Sequence, residues 1–332
     1  MSRNNSAFIK QDQYWLAKLE GEKMNSEIAS VEPLVSICIP THNRSRTLNR
    51  AVDALIRCSY ENLEIIISDN ASSDDTQSVC AGLTKLDSRV KYFRHAENLG
   101  PTTNFEFARA QATGKYFLWL SDDDYLDPDY IRICVYELER DPSLVIASGL
   151  GAFHSGDSKP THFDNVVQPN SLSPLLRAVK FLWSVGDSST FFGVYRLDHV
   201  NDCWIPNCLG GDWAWVADVL LRGRAKMIPT TFNYRQLGGM SYSRRRIAST
   251  LSVPSWHGYI PSFVISVNVA SYLAFKSNKY KDKTISKKIL IYSLIFGLLL
   301  LKSIMDKIRL FGSKVPFAKK IYRRFFKKQI VM

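Results

Sequence analysis

The order of apolar and polar residues between positions 34 and 150 predicts strands and helices in alternation. Residues 34 to 39 form a continuous β-rich run that Pro40 stops, as expected of a strand buried on both faces of a parallel sheet. Residues 63 to 68 return to the same strand pattern. Between these two runs, apolar side chains recur at helical spacing, at Leu48, Ala51, Val52, Leu55 and Ile56.

The same cycle repeats further along the chain. The additional predicted elements are a helix capped by residues 72–75 and ending near residue 86, a short strand at 90–93, a helix at 104–112 and a strand at 116–120. Strands that alternate with helices of this length form a parallel sheet with right-handed crossovers and helices on both faces. We therefore predict an α/β fold.

Polar residues stand at the predicted carboxyl ends of three of these strands. The ends are Pro40 and Thr41, then Asp69 and Asn70, then the acidic run 122–124. In open parallel sheets, ligands bind beyond such ends. Two acids one residue apart can supply part of an oxygen shell for Mg²⁺ or Mn²⁺, which diphosphate oxygens complete. The alternative is that these acids only cap the helix that follows.

The sequence lacks the glycine motifs of two common nucleotide-binding classes. No Gly-x-Gly-x-x-Gly follows the first strand, and Gly-x-x-x-x-Gly-Lys-[Ser/Thr] is absent, which counts against a dehydrogenase and a P-loop ATPase. Asp69 could still accept a hydrogen bond from a uracil-like base or from a ribose hydroxyl. A nucleotide site in which a carboxylate-held metal replaces the glycine loop is typical of a sugar-nucleotide enzyme.

Composition indicates a globular protein of the reducing cytosol. The chain has 332 residues, of which 45% are hydrophobic, enough for a packed core. Its six cysteines are scattered and form no Cys-x-x-Cys pair, so we expect no disulfides. The polar N-terminus lacks the apolar core of a secretory signal, and we expect the chain to stay on the synthesising side of the membrane.

The net charge of +12 is concentrated at the C-terminal end. Residues 276–332 hold sixteen Lys and Arg against Asp282 and Asp306. Because these cations alternate with Leu, Ile and Phe, they indicate an anionic membrane surface before they indicate nucleic acid. The apolar stretch 289–301 has about thirteen positions, whereas a spanning helix needs roughly twenty, so we predict that it lies in the interface. A core helix followed by a solvated basic end is the alternative.

Four segments of the chain resemble family 2 glycosyltransferases with a GT-A fold. They are residues 40–44 (Pro-Thr-His-Asn-Arg), 66–76, 98–100 (Asn-Leu-Gly) and 121–124 (Ser-Asp-Asp-Asp). The resemblance covers about residues 34–150. It implies a mixed, mostly parallel sheet flanked by helices, a nucleoside-diphosphate sugar donor, and Mg²⁺ or Mn²⁺ as cofactor.

The same resemblance implies roles for individual residues. Asp124 corresponds to the direct metal ligand of the family's Asp-x-Asp motif. Thr41, Asn43 and Asp69 correspond to contacts with the base or ribose, and Asp122 lies near the ribose and sugar. The full set implied for the nucleotide-sugar site is Pro40, Thr41, Asn43, Arg44, Asp69, Asn98, Asp122 and Asp123.

Inverting members of this family need a general base for the acceptor hydroxyl. It commonly comes from a Glu-Asp pair at a helix start in the second half of the chain. Here the corresponding segment reads Gly210-Gly211-Asp212-Trp213, so the first acid is missing and Asp212 is the candidate catalytic residue by position. Asp212 could instead be an ordinary helix N-cap, and Asp218 or Asp187 could serve as base.

The second half offers weaker signals. Residues 188–196 predict a strand that completes a mixed sheet beside the acceptor cleft. Trp204, Trp213 and Trp215 could stack on a sugar ring or form plain core. The segment 235–246 could be a basic loop that closes over a diphosphate or an ordinary solvated surface run.

These observations together predict a cytoplasmic glycosyltransferase of hexosyltransferase type, attached peripherally to the inner face of the cell membrane. Its acceptor is expected to be a surface-polysaccharide or O-antigen glycan. A membrane-facing tail would fit a glycan carried on polyprenyl diphosphate, and nucleic acid is not an expected partner. A sugar-nucleotide nucleotidyltransferase and a non-enzymatic membrane- or nucleic-acid-binding protein are the alternatives. The expected domains are an extension (1–33), a nucleotide-sugar-binding half (34–150), an acceptor-binding half (151–255) and a helical basic tail (256–332).

Overall fold

The computed structural model describes residues 32–156, 158–164, 166, 168–186, 189–237 and 243–312. The predicted N-terminal extension lies outside these residues except for its last two positions. The part of the basic tail beyond residue 312 also lies outside them. From residue 35 to residue 119 the described chain alternates between strands and helices, as the sequence predicts.

The described strands form one mixed sheet of nine strands. They are β1 (Val35–Thr41), β2 (Leu63–Asp69), β3 (Val90–Arg94), β4 (Tyr116–Trp119), β5 (Tyr125–Leu126), β6 (Leu144–His154), β7 (His162–Phe163), β8 (Val194–Arg196) and β9 (Arg224–Gln236). The strand order is β3-β2-β1-β4-β8-β6-β9-β5, and β7 pairs with β6. The first four strands are mutually parallel, while β8 runs antiparallel to β4 and β6.

Helices cover both faces of this sheet. They are α1 (Ser45–Ile56), α2 (Thr76–Leu86), α3 (Pro101–Ala110), α4 (Tyr130–Arg140), α5 (Pro174–Ser184), α6 (Gly211–Leu220), α7 (Arg244–Thr250), α8 (Pro261–Ser271) and α9 (Ile285–Gly312). One apolar cluster joins the sheet to α1, α2 and α4, and a second joins it to α3, α5, α6, α8 and α9. Each central strand is therefore buried on both faces.

This two-sided burial explains why β1 is mostly apolar and why β4 consists of four apolar and aromatic residues. In β1, Ile37 and Ile39 belong to the cluster on the α1 side, whereas Cys38 belongs to the opposite cluster. In β4, Leu118 and Trp119 divide in the same way. Successive side chains of a strand point to opposite faces. Because both faces are buried here, these strands do not alternate regularly between apolar and polar residues.

The predicted strand over residues 188–196 is wrong in its first half. Residues Ser189–Phe192 form a 3-10 helix, and only Val194–Arg196 pair into the sheet. The turn places the Phe191 ring against Trp119 at 4.7 Å between centroids. The Tyr195 hydroxyl donates to the carbonyl of Thr190 at 2.5 Å, which closes the turn. Aromatic packing therefore overrides the local strand preference.

The C-terminal helix is longer than the sequence pattern predicts. The stretch 285–308 is 24 residues long and contains an 18-residue window with a mean hydropathy of 1.9, so by length and composition alone it could cross a membrane. The prediction that the apolar stretch is too short to span is therefore wrong. The helix continues through Lys302 because apolar residues resume at Ile304 and Ile308. Only 11% of that window is buried, with Ile295 and Leu299 in the core.

Candidate active site

The parallel register brings the polar ends of β1, β2 and β4 to one edge of the sheet. Thr41 at the end of β1 pairs with Asp69 at the end of β2. On the other side of β1, Leu120 follows β4 and its N–H donates to the carbonyl of Cys38 at 3.0 Å. The acidic run that starts two residues later therefore lies beside Thr41. The three segments that the sequence places at strand ends do meet in space.

The first two acids of the run are bound to the loop after β1. The Thr41 hydroxyl donates to Asp122 at 2.7 Å. The Arg44 guanidinium donates to Asp123 and lies 3.7 Å from Asp122. The Ser121 hydroxyl donates to the other oxygen of Asp123 at 2.6 Å. Arg44 therefore balances these two carboxylates together.

Asp124 is turned toward the end of β9 instead. The backbone N–H of Gln236 donates to its Oδ1 at 3.1 Å, and Arg235 Nε lies 3.4 Å from its Oδ2. The Arg235 guanidinium is itself held over the Phe192 ring, 4.7 Å from the centroid. Because Arg235 and Gln236 cover Asp124, a diphosphate-bound cation reaches this carboxylate only if the end of β9 moves.

The carboxylates of the acidic run are buried, and the nearby arginines do not fully balance their charge. Desolvation, followed by the charge of Asp123, raises the pKa of Asp122 to about 7. Desolvation also raises the pKa of Asp124 to about 7, although Arg235 opposes the rise. Carboxylates desolvated in this way are stabilised by a nearby cation. Their oxygens are the donors that Mg²⁺ and Mn²⁺ prefer, so the residues fit a hard divalent cation.

The protein offers such a cation only part of its coordination shell. Within the described ranges, no group of three or more His, Cys, Asp and Glu side chains is placed to hold a metal ion. A hard cation at Asp124 would therefore need further oxygen ligands, and the phosphates of a nucleotide are the usual source.

Asp69 lies at the predicted edge, but its carboxylate is already engaged. Its Oδ1 accepts the backbone N–H of Ser72 at 2.8 Å, and its Oδ2 accepts the Tyr92 hydroxyl at 2.7 Å. The Arg94 Nε lies 3.5 Å from the same Oδ2. The side chain is fully buried, so a base or ribose could reach it only after a local movement. In this structure Asp69 fixes the turn after β2.

The turns after β1 and β2 hold each other in left-handed conformations. Asn43 has φ 55° and Ala71 has φ 58°. The Asn43 N–H donates to the Ser72 hydroxyl at 2.8 Å, and the Ser73 N–H donates back to Asn43 Oδ1 at 2.7 Å. Asparagine tolerates this conformation, whereas alanine does so at a cost of about 1–2 kcal/mol. The structure therefore maintains strain at the predicted nucleotide edge.

Asn98 lies at the exposed rim of the same edge. Its Oδ1 accepts from Asn70 Nδ2 at 2.8 Å, and its own amide lies 3.3 Å from His42 Nε2. Pro40, in contrast, is buried within β1 opposite Ser68. The eight residues assigned to the nucleotide-sugar site thus share one edge, some buried and some at the rim.

Asp212 lies in the first turn of α6 and is not the N-cap of that helix. The N-cap is Gly210, whose φ of 80° is left-handed. Asp212 is half-buried and makes no hydrogen bond or ion pair within the described residues. Burial, and to a smaller extent the charge of Asp212, raise the pKa of the Cys208 thiol to about 12. An acid without an internal partner is free to accept a proton from a ligand.

The glycine before Asp212 explains why the family's Glu-Asp pair is incomplete here. A Cβ at Gly211 would lie 2.2 Å from the carbonyl oxygen of Pro206. Any side chain at this position would collide with backbone, so a glutamate cannot be accommodated without rebuilding the preceding loop. The missing acid is thus a consequence of how this loop packs.

The two other candidate bases are placed differently. Asp218 is buried in α6, accepts a hydrogen bond from Ser277 and lies 3.7 Å from Arg222. Because Asp218 is buried and already paired with Ser277 and Arg222, it is not accessible to an acceptor hydroxyl. Asp187 lies outside the described residues.

A buried ion pair on α3, which the sequence reading missed, positions the loop before Asp212. Glu106 and Arg109 contact each other at 2.6 Å. Arg109 donates to the carbonyls of Val200 at 2.9 Å and Cys203 at 3.0 Å, while Glu106 accepts the N–H of Ile205 at 2.6 Å. The available signal was a charged pair three residues apart within a helix that packs on the sheet. Among the described residues, no hydrogen bond or ion pair joins Asp212 to the acidic run.

The tryptophans divide between core and surface. Trp215 is fully buried, with its ring 4.7 Å from Trp119. Trp204 is exposed and lies over Arg109, 5.4 Å from the guanidinium carbon. Trp213 is half-buried beside Asp212. Of these three tryptophans, Trp204 and Trp213 remain accessible to a sugar.

Residues 36–204, about half of the chain, match the sequence profile of the family described as glycosyl transferase family 2. The chain belongs to this family. One relative is the GalNAc(5)-diNAcBac-PP-undecaprenol beta-1,3-glucosyltransferase of Campylobacter jejuni. The two sequences are 41% identical over 95 residues, which cover 28% of this chain and 31% of that protein. Chondroitin synthase of Escherichia coli is 32% identical over 123 residues, 37% of this chain and 18% of that protein. The chain thus spans about a third or less of the length of these relatives.

Two solved structures establish the fold of this family 2 chain. TarS residues 1–349 of S. aureus in complex with UDP superposes with a TM-score of 0.51 at 17% identity, covering 87% of this chain and 86% of that one. The mannosyltransferase PcManGT of Pyrobaculum calidifontis, in complex with GDP-Man and Mn²⁺, superposes with a TM-score of 0.50 at 14% identity. The superposition covers 95% of this chain and 93% of that one. The predicted GT-A fold is confirmed. The family match ends at residue 204, so Asp212 and Arg235 lie beyond it.

The raised pKa values predict how the stability of the metal-free protein depends on pH. The folded state holds protons on Asp122 and Asp124 up to about pH 7, whereas an unfolded carboxyl loses its proton near pH 4. Stability should therefore fall as pH rises from about 4 to about 7, by about 1.4 kcal/mol per pH unit for each carboxyl, and these two groups should add no further change at higher pH. Thermal melts in EDTA across this range measure the effect. A double Asp122→Asn, Asp124→Asn variant should lose most of this dependence, and an unchanged slope would contradict the assignment.

Proposed function

We propose that this protein is a metal-dependent, inverting glycosyltransferase of hexosyltransferase type that transfers a sugar from a nucleoside-diphosphate sugar to a glycan acceptor. Family membership supports the transferase class. The observation that carries the metal dependence is the buried acidic run at the joint end of β1, β2 and β4, where burial raises the pKa of two carboxyls to about 7. A site that lacks positive charge in this way suits a cation and its diphosphate.

The proposed donor site uses the residues at this edge. Asp124 would hold Mg²⁺ or Mn²⁺ together with phosphate oxygens, and the bound cation would offset charge on the departing diphosphate. Arg44 already compensates Asp122 and Asp123, so it keeps these two acids in place while the donor binds. The residues proposed to contact the nucleotide sugar are Pro40, Thr41, Asn43, Arg44, Asp69, Asn98, Asp122 and Asp123.

Asp212 is the proposed general base. In an inverting transfer, its carboxylate takes the proton of the acceptor hydroxyl while the hydroxyl oxygen attacks the anomeric carbon from the face opposite the diphosphate. The new glycosidic bond forms as the bond to the diphosphate breaks, and the nucleoside diphosphate leaves. The lack of an internal partner for Asp212 and its place in the first turn of α6 support this role.

The C-terminal helices support attachment to a membrane surface. Exposed apolar side chains recur on the side of α9 opposite the buried Ile295 and Leu299. We call this set the outer stripe; it comprises Leu290, Leu294, Leu301, Ile304 and Ile308. Lysines precede it at residues 279, 281, 283, 287 and 288. Apolar surface beside clustered lysine suits the cytoplasmic face of an anionic bilayer.

A membrane location would bring the enzyme to an acceptor carried on polyprenyl diphosphate. The name of the Campylobacter relative includes such an acceptor. We propose surface-polysaccharide or O-antigen-like synthesis as the setting. Residues 34–150 would then form the donor half, 151–255 the acceptor half and 256–332 the membrane-associating part.

Nucleotide-dependent thermal stabilisation tests the proposed donor class. Melts of the full chain with UDP, GDP, CDP or dTDP, each with and without Mn²⁺, should show one nucleotide that raises the Tm more than the others, and only when the metal is present. A hundredfold excess of ligand over Kd corresponds to about 2.7 kcal/mol. Equal shifts with all four nucleotides, or a shift that EDTA does not remove, would contradict the proposal.

A further inference from the structure

A cavity of about 300 Å³ lies between α6, α8 and α9, away from the acidic edge. Ile265 and Leu299 form its apolar floor. Trp213 lines one wall, and this residue directly follows the proposed base Asp212. The cavity is therefore next to the place where an acceptor must present its hydroxyl.

The polar part of this cavity is cationic. Arg244, Lys302 and Lys307 line it, against the single carboxylate of Asp306 among the described lining residues. Lys302 contacts Asp306 at 2.7 Å, and its side chain is only 14% exposed. Hydroxyl groups complete the lining at Ser262, Ser266 and Ser303. Cations and hydroxyls gathered around an apolar floor suit a phosphate group that carries an apolar chain.

The amino end of α8 adds to this charge. Pro261 is the first residue of the helix and lines the cavity together with Ser262. The free N–H groups of a helix start carry partial positive charge, which favours an anion. This contribution supplements the three cationic side chains.

Exposed aromatic and apolar side chains precede the cavity. Trp256, Tyr259 and Ile260 are all about half exposed or more, directly before Pro261. The Arg245 guanidinium lies 4.0 Å from the centre of the Tyr259 ring. Trp and Tyr are enriched at the boundary between hydrocarbon and water, where phosphate headgroups lie. The outer stripe belongs to the same helix that forms one wall of the cavity.

We propose that this cavity binds the diphosphate of a polyprenyl-linked acceptor. Arg244, Lys302 and Lys307 pair with the phosphate oxygens, the first prenyl units rest on Ile265 and Leu299, and the glycan passes Trp213 to reach Asp212. The inference rests on the proposed function, because it names where that acceptor is held. It separates a donor diphosphate site at the acidic edge, which needs a metal, from an acceptor diphosphate site between helices, which does not.

Calorimetric titration of the full chain with farnesyl diphosphate in EDTA tests this site. Chelation removes metal-assisted binding at the acidic edge. Arg244→Gln and Lys302→Met should each weaken farnesyl diphosphate binding at least about tenfold. A matched control is Lys85→Gln, an exposed lysine on α2, which should bind as the wild type does. A parallel titration with the nucleotide and Mn²⁺ should give the same affinity for all four proteins.

The outcomes separate this inference from the proposed function. Loss of farnesyl diphosphate binding with intact nucleotide binding supports the site. Equal binding by wild type and variants overturns it, as does a wild type that binds nucleotide but not farnesyl diphosphate. Inorganic diphosphate binding as tightly as the farnesyl compound would also overturn the lipid assignment. Arg244 is exposed at the start of α7, so Arg244→Gln decides the question even if Lys302→Met fails to fold.

Discussion

Replacing Asp124 with asparagine is expected to lower kcat/KM for sugar transfer by at least about a thousandfold, which corresponds to about 4 kcal/mol. The amide keeps the shape of the side chain and its acceptor for the Gln236 N–H, but it removes the charge that would hold the cation. Mn²⁺ should no longer improve nucleotide binding in this variant. Initial rates at saturating Mn²⁺ and nucleotide titrations with and without the metal measure both effects.

The control for this variant is an acid-to-amide change away from the site. Asp53 lies on α1 and pairs with Arg57 at the surface, so Asp53→Asn should retain wild-type rates. The metal-free melting temperature of Asp124→Asn at pH 8 should not be lower than that of the wild type, because burial disfavours the Asp124 charge. Near-normal transfer by Asp124→Asn in the presence of a chelator would refute the metal role.

Replacing Asp212 with asparagine should strongly lower the turnover rate without changing the affinity for the nucleotide donor. Loss of a general base typically costs about 10²–10⁴ in rate, and we expect kcat to fall within this range. Affinity for the nucleotide with Mn²⁺ should remain unchanged, because no hydrogen bond or ion pair joins Asp212 to the acidic run among the described residues. Single-turnover kinetics with a saturating donor, together with nucleotide titration, separate the two quantities.

Asp198→Asn is a suitable control, since that carboxylate is exposed at the surface. The control should keep wild-type turnover, whereas Asp212→Asn should not. Wild-type turnover by Asp212→Asn would assign the base to another residue, and Asp187→Asn would then be the next variant to measure.

The donor half could be predicted from sequence because its strands are buried on both faces. The apolar run of β1 and the acids behind β4 are local features that survive in the fold, and the parallel register then brings Thr41 and Asp122 together. The predicted start of α3, residue 104, lies three residues after the observed start at Pro101. Gly100 at φ 80° and Pro101 at the first helical position begin that helix earlier than its apolar spacing indicates.

The acceptor half could not be predicted to the same extent, because its elements depend on distant contacts. The turn at Ser189–Phe192 forms where Phe191 packs on Trp119, a residue more than sixty positions earlier in the chain. The contact between Arg235 and Asp124 joins residues 111 positions apart. Helix α5 had a usable local signal, since Ser173 caps it and Pro174 is its first residue.

Individual site residues show the same limit. The sequence placed Asp69 at the correct edge, but it could not reveal that Tyr92 and Ser72 already occupy the carboxylate. It identified the missing acid before Asp212, whereas the reason lies in the close approach of Gly211 to the Pro206 carbonyl. Such contacts follow from tertiary packing and have no pattern in the neighbouring residues.

The most direct test of the account is a crystal structure of the protein with its nucleoside diphosphate and Mn²⁺, in which anomalous scattering locates the metal. We predict an Mn²⁺ peak within about 2.2 Å of an Asp124 carboxylate oxygen and of oxygens from both phosphates, with Arg235 moved away from that carboxylate. A nucleotide bound at this edge without a metal, or a metal peak that Asp124 does not contact, would contradict the claim that the acidic run holds a cation for the leaving diphosphate.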